Sequence, residues 1–312
     1  MIQLTLAPAS CGSIEKPEIK LMIQLFQSSR RFVASSCCSI FLMGILILMP
    51  ALADEPTNAV EAATKSTTTT SAVEQKYRAW KATLSPERQK WEDVLEANLG
   101  SFYFPAHMKE KAAGIENAWA YVEDVPRLPR VLLIGDSISR GYTQAVRKCL
   151  AGKANVHRAP ANCGPTATGL KKLSAWLEGG PWDIIHFNFG IHDRNTADAV
   201  YAANLTELVE QLEKTGAKLV WATTTPTLDA TNTEGFSPSR CVRLNEIATE
   251  VMTRHHIVID DLYTFIQPHL SVMQKPGNVH FLEPGYDMLA EKVGAEIANA
   301  IASLPNQPQS IR

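Results

Sequence analysis

Four short polar clusters interrupt an otherwise ordinary pattern of apolar runs. Gly135-Asp136-Ser137 closes the run Arg130-Val-Leu-Leu-Ile134 and leads into Ile138-Ser-Arg-Gly-Tyr142. A serine in a sharp strand-to-helix turn can project its hydroxyl, and the open N–H groups of the helix start support an anion beside it. The same Asp and Ser also suit a plain helix cap. Asn162-Cys163-Gly164-Pro165-Thr166 follows a weaker run that opens at Val156. A glycine there lets a backbone N–H approach an oxyanion closely, although a simple loop glycine fits as well. Asn188-Phe-Gly190-Ile-His192-Asp193 ends the run Asp183-Ile-Ile-His-Phe-Asn-Phe189, and polar side chains at such a strand end are costly unless used. Gly277-Asn278-Val279-His280-Phe281 comes last, shortly before a final helical period. His280 could serve as base to Ser137 if this loop folds back over the first strand. The chain carries neither G-x-G-x-x-G nor G-x-x-x-x-G-K-[ST], so a nucleotide loop is not implied. The eight His and six Cys show no ligand spacing, and no metal or cofactor is expected.

These clusters need elements to hold them. Two further apolar runs, Lys218-Leu-Val-Trp-Ala222 and Ile257-Val-Ile259, bring the expected strands to five. Helical periods lie between them: Leu205, Leu208, Val209 and Leu212; Leu244, Ile247, Ala248 and Val251; then Leu289, Val293, Ile297 and Ile301. Gly152 and Gly216 sit where helix C-caps belong. Strands alternating with helices predict an α/β three-layer sandwich around a five-stranded parallel sheet. In such sheets chemistry gathers beyond the carboxyl ends of the strands, and every unusual polar cluster falls at such an end.

Together the four clusters resemble the SGNH (GDSL-type) hydrolase family. Its pattern is Gly-Asp-Ser after the first strand, a Gly after the second, Gly-x-Asn-Asp after the third and a late Asp-x-x-His. The resemblance spans roughly residues 129–303. The forms Gly190-Ile-His192-Asp193 and Val279-His-Phe281, with the lead-in Asn98-Leu-Gly-Ser-Phe-Tyr103, are similar to an exported bacterial branch. The resemblance implies a flavodoxin-like sheet and a serine esterase acting on acyl esters. Ser137 would be the nucleophile and His280 its acid–base partner. The N–H groups of Ser137 and Gly164 would flank the oxyanion, with a side chain from Asn188 or His192. Asp136, Asp193 and Asn278 would support them.

Two positions depart from the family pattern. His192 stands where the oxyanion Asn is expected. Gly277 and Asn278 stand where the late Asp is expected, and neither offers a carboxylate. In a Ser-His-Asp triad, Asp→Asn costs about 10⁴ in turnover because the wrong tautomer is held. A Ser–His dyad with a main-chain carbonyl on His280 is one expectation. A borrowed carboxylate, or a weak or inactive site, is another.

Composition narrows the partners. The 312 residues carry 30 Lys+Arg against 32 Asp+Glu, a net charge of -2, with 45% hydrophobic residues. This balance excludes a disordered chain and gives no basic surface for nucleic acid. Arg30-Arg31, the apolar core Ile40–Met49 and Ala51-Leu-Ala53 read as a signal peptide over residues 1–53. Met22-Ile-Gln-Leu25 repeats Met1-Ile-Gln-Leu4, so residues 1–21 read as a misplaced start. No stable membrane insertion is expected after cleavage, and the protein should be periplasmic or extracellular. Residues 54–75, with Thr67-Thr-Thr-Thr70, read as a disordered linker. Residues 76–128 read as an N-terminal helical arm packing on the main domain, and residues 304–312 as a tail. Ser85-Pro-Glu-Arg is a helix start. The arm's aromatics suit packing or a glycan platform. Cys149, Cys163 and Cys241 allow at most one internal bridge, with Cys149–Cys163 one option. The substrate is expected to be a small-molecule or glycan ester, an O-acetylated carbohydrate foremost. A lipase or thioesterase, and a glycan-binding module without turnover, are the alternatives.

Overall fold

The computed structural model describes residues 72–228 and 235–305. The expected signal peptide, most of the expected linker and the end of the tail lie outside the described residues. No helix among the described residues is long and apolar enough to cross a membrane.

The first described segment is helical through residues 72–82, so helix already occupies the end of the stretch read as linker. Helix α1 (Pro86–Asn98) begins at the predicted signal: Ser85 accepts from the Arg88 N–H and Pro86 fills the first helical position. Helix α2 (Gly100–Ala112) follows at once. Leu95, Leu99 and Trp119 form a small apolar core between them, with Trp91, Tyr103 and Phe104 packed around it. Beneath lies a polar network that sequence patterning does not show. Tyr77 Oη donates to Glu92 Oε2 at 2.9 Å, His107 Nε2 meets the same oxygen at 2.7 Å, and Asn117 Nδ2 lies 3.0 Å from His107 Nδ1.

The main sheet has five strands: β1 (Arg130–Ile134), β2 (Asn155–Arg158), β3 (Ile184–Phe187), β4 (Lys218–Ala222) and β5 (Val258–Asp260). All pair in parallel, in the order β2-β1-β3-β4-β5. Between them run α3 (Ser137–Cys149), α4 (Thr166–Leu177), α5 (Asp198–Glu213) and α6 (Pro238–Arg254). The short α7 (Leu262–Ile266) and α8 (Leu270–Met273) lead to the closing α9 (Glu283–Ala302). Helix α3 packs on α9, while α4, α5 and α6 pack in series. Right-handed crossovers put these two groups on opposite faces. Most positions of β1, β3 and β4 are buried, which is why these strands read as continuous apolar runs. The expected three-layer α/β sandwich is therefore the fold, and Gly152 and Gly216 take left-handed conformations at helix ends as predicted.

Residues 117–125 meet the sheet at β2. Asp124 pairs with Arg130 at 2.8 Å and with His157 at 2.7 Å. Asn155 accepts from the Val125 N–H at 2.8 Å and returns a bond to its carbonyl at 3.0 Å. Arg147 reaches the Ala120 carbonyl.

Candidate active site

The strand order reverses between β1 and β3, and a crevice for ligands opens beyond the carboxyl ends at such a point. Ser137 is the first residue of α3, directly after β1. Asp136 caps that helix, its Oδ1 accepting from the Ile138 N–H at 2.9 Å. The cap reading therefore describes Asp136, while Ser137 Oγ points elsewhere, to His280 Nε2 at 2.7 Å.

His280 reaches this position on a tight hairpin. Gln274 and Phe281 form an antiparallel bridge, the Lys275 N–H donates to the His280 carbonyl at 2.9 Å, and the Asn278 N–H closes the turn on the Lys275 carbonyl at 3.2 Å. Gly277 sits in that turn at φ +62, where an L side chain is strained. Glycine there serves the turn. Buried Gln274 anchors the hairpin to the segment after β4. Its amide donates to the Pro226 carbonyl at 2.9 Å, and its oxygen accepts from the Leu228 N–H at 3.0 Å.

At His280 the structure shows a side-chain contact from Asn278, one of the two residues that replace the family's late Asp. Asn278 Oδ1 accepts from the His280 backbone N–H at 2.9 Å and contacts Nδ1 at 2.5 Å. A backbone N–H can only donate, so the Asn278 atom facing it is oxygen. Nδ1 then carries the proton, and Nε2 is left to accept from Ser137. A side-chain amide two residues upstream thus selects the tautomer that a triad carboxylate would select.

Gly164 lies in the loop after β2 at φ +68. Its N–H, like that of Ser137, meets no protein acceptor among the described residues. Cys163 beside it is a free, buried thiol, so the Cys149–Cys163 bridge considered from sequence does not form. Burial pushes this thiol up to about 12. Asp193 is buried and staples two loops: its carboxylate accepts from the Thr166 N–H and hydroxyl, both at 2.8 Å, and from the Thr196 hydroxyl at 3.0 Å. His192 sits in the one-turn 3₁₀ helix Ile191–Asp193, partly buried.

Asn188 does not offer its amide to the site in this arrangement. Its Nδ2 donates to the Ala222 carbonyl at 2.8 Å and to Thr224 Oγ1 at 3.2 Å, tying the end of β3 to β4. The expectation of Asn188 as an oxyanion donor is corrected accordingly: both amide hydrogens already have acceptors. Sequence reading also passed over Arg158, which ends β2 fully buried beneath the Ser137 turn. The sequence signal is faint, since β2 carries a single apolar residue, Val156, and a charged residue at its end does not stand out.

A hydroxyl hydrogen-bonded to a correctly tautomerised imidazole, beside two open N–H groups, suits attack on an ester carbonyl. The family comparison agrees with that chemical class. Residues 133–288 match the model of the GDSL-like lipase/acylhydrolase family, which is half of the chain. The chain belongs to this family, and by class it is an ester hydrolase. Among solved structures it is similar to a lipase/acylhydrolase from Enterococcus faecalis, with 24% identity, a TM-score of 0.50, and 55% of this chain and 96% of that chain covered. The acetylxylan esterase Axe2 from Geobacillus stearothermophilus is similar at 14% identity and TM-score 0.47, covering 54% and 94%. LAE5, an alpha/beta hydrolase from the Lake Arreo metagenome, is similar at 14% identity and TM-score 0.47, covering 57% and 97%. No curated protein matches the chain.

Proposed function

We propose that the protein is a serine esterase that removes acyl groups, acetyl foremost, from an esterified carbohydrate. The observation that carries the mechanism is the chain of contacts Ser137 Oγ–His280 Nε2 at 2.7 Å and His280 Nδ1–Asn278 Oδ1 at 2.5 Å. Ser137 attacks the ester carbonyl while His280 takes its proton. His280 then returns the proton to the leaving alcohol, and water repeats the sequence on the acyl-enzyme. The Ser137 and Gly164 N–H groups receive the oxyanion, and His192 is the side chain left to add a third donor.

The carbohydrate reading is supported by the arm. Tyr103 lies under Arg140, three residues along α3 from Ser137, with a guanidinium-to-ring distance of 5.5 Å. Phe102 stacks edge-on against Tyr103 and is 79% exposed. Sugar rings pack on such surfaces through their apolar faces. The test is hydrolysis of p-nitrophenyl esters of increasing acyl length, and acetate release from acetylated xylo-oligosaccharides. Wild type should prefer acetyl, and Ser137→Ala should lose at least about 10³ in kcat. Preference for long acyl chains would move the reading to a lipase or thioesterase, and equal activity of Ser137→Ala would end it.

The protein acts outside the cytoplasm after loss of residues 1–53, a reading supported by Arg30-Arg31, the apolar core and Ala51-Leu-Ala53. Mass spectrometry of the secreted product should find its N-terminus at Asp54, and a product retaining residues 1–53 would refute export by this route.

A further inference from the structure

Arg158 is the least economical residue in the domain. Its side chain is 2% exposed, and no carboxylate lies within salt-bridge reach among the described residues. Burial holds its guanidinium below the usual arginine range. A buried cation without a counter-ion is destabilising relative to an apolar side chain of similar size. Three acceptors offset that cost: Ser139 Oγ at 2.6 Å, the Gly135 carbonyl at 3.0 Å and the Asp136 carbonyl at 2.9 Å. The face of Trp119 lies 5.9 Å away.

The acceptors are the nucleophile turn itself. The Asp136 carbonyl belongs to the same peptide unit as the Ser137 N–H. In a trans peptide the C=O and N–H point in opposite directions. A guanidinium holding the carbonyl therefore aims the Ser137 N–H away from itself, toward the open side of the turn. The Gly135 carbonyl is shared: it accepts from Arg158 and, at 3.1 Å, from the Cys163 N–H, one residue before Gly164. One guanidinium thus braces both segments that carry the unpaired N–H groups. A charged donor on a carbonyl also polarises the N–H of the same peptide, making it a stronger donor.

We infer that Arg158 is a positioning residue for the oxyanion site, orienting and polarising the Ser137 N–H from behind while its positive charge favours the tetrahedral anion. The inference rests on the esterase reading of Ser137, Gly164 and His280. The effect belongs to the transition state, where the oxygen carries charge, and not to the neutral ester.

The experiment compares wild type, Arg158→Met, Arg158→Lys and Ser137→Ala on p-nitrophenyl acetate, with melting temperatures and inhibition by phenylboronic acid. Loss of one oxyanion donor costs about 10²–10³ in kcat, so Arg158→Met, which leaves the donor present but its peptide unpolarised and held only through the Arg140 N–H and the Ser139 hydroxyl, should cost roughly 10–100-fold. KM should stay within about threefold, and boronate affinity should fall in step with kcat, because boronate forms the tetrahedral anion. Arg158→Lys keeps the charge but has one nitrogen in place of the planar fork that also holds Ser139 Oγ, and should recover part of the loss. If Arg158→Met does not fold, Arg158→Lys decides, with kcat reduced and KM unchanged as the supporting result. A folded variant with wild-type kcat, or one whose kcat falls while boronate affinity does not, overturns the inference. Retained activity in Ser137→Ala would overturn the esterase site beneath it, an outcome distinct from the Arg158 result.

Discussion

His280 and His186 lie in the same domain and are held in opposite ways. His280 is partly buried at the rim of the sheet, with an amide oxygen on Nδ1 and a serine hydroxyl on Nε2. His186 sits within β3, 1% exposed, with the Asp260 carboxylate 3.0 Å from its Nε2. Lys292 lies 3.7 Å from the other Asp260 oxygen, and the Tyr142 ring closes the site from the side. The domain therefore holds His–carboxylate pairs of its own, His186–Asp260 in the core and His157–Asp124 beside β2. His107 repeats the lesson in the arm, fully buried against Glu92 at 2.7 Å. A carboxylate on an imidazole marks a way of satisfying a buried ring. Access to a nucleophile is what separates His280 from the others.

The largest effect that sharpens this contrast is kinetic. His280→Ala should reduce kcat on p-nitrophenyl acetate about as far as Ser137→Ala, since residues acting as one unit are not additive. The double variant should be no worse than either single one. The mirror-image test targets the core pair. Asp260→Ala leaves buried His186 facing a cavity while Lys292 keeps Glu296, and removing one partner from a buried pair costs about 3–5 kcal/mol. Thermal unfolding should show that loss, while kcat per folded molecule stays within about twofold below the new midpoint. A large loss of kcat without loss of stability would place Asp260 in the reaction and dissolve the comparison.

Much of the site was legible because its chemistry is local. Ser137, Gly164 and His192 each follow a strand in sequence, and the period of the apolar runs orders those strands. The meeting of Ser137 with His280 also followed from topology, since one block opens α3 and the other precedes α9, which packs on α3. What escaped depends on partners distant in sequence or on backbone conformation. Asn188 reads as an oxyanion donor in sequence because its acceptors, Ala222 at the end of β4 and Thr224 just beyond it, are set by strand pairing. Arg158 was overlooked because β2 is short and weakly apolar, and its three acceptors lie 19–23 residues upstream in chain order. Asn278 was judged by the charge it lacks, whereas its role follows from the φ of Gly277 and the direction of one backbone N–H.

That last point leads to the smallest predicted effect, which discriminates most finely. The cost of about 10⁴ for Asp→Asn in a triad arises when the amide holds the wrong tautomer. Here the His280 N–H fixes the Asn278 oxygen toward Nδ1, so the tautomer is already right. What the amide lacks is charge for the imidazolium formed as Ser137 loses its proton. Asn278→Asp supplies that charge with the same two acceptor contacts and no change of side-chain size. Turnover should therefore stay the same or rise by up to about tenfold, equivalent to about 1.4 kcal/mol. The rise should be confined to kcat. The pH profile should also shift, because a carboxylate beside the imidazole raises its pKa and moves the acid limb of kcat/KM to higher pH. Two results would break the argument. A sharp fall in kcat would mean that Asn278 faces the developing oxyanion and repels it when charged. An unchanged acid limb would mean that residue 278 does not control the base that limits the reaction.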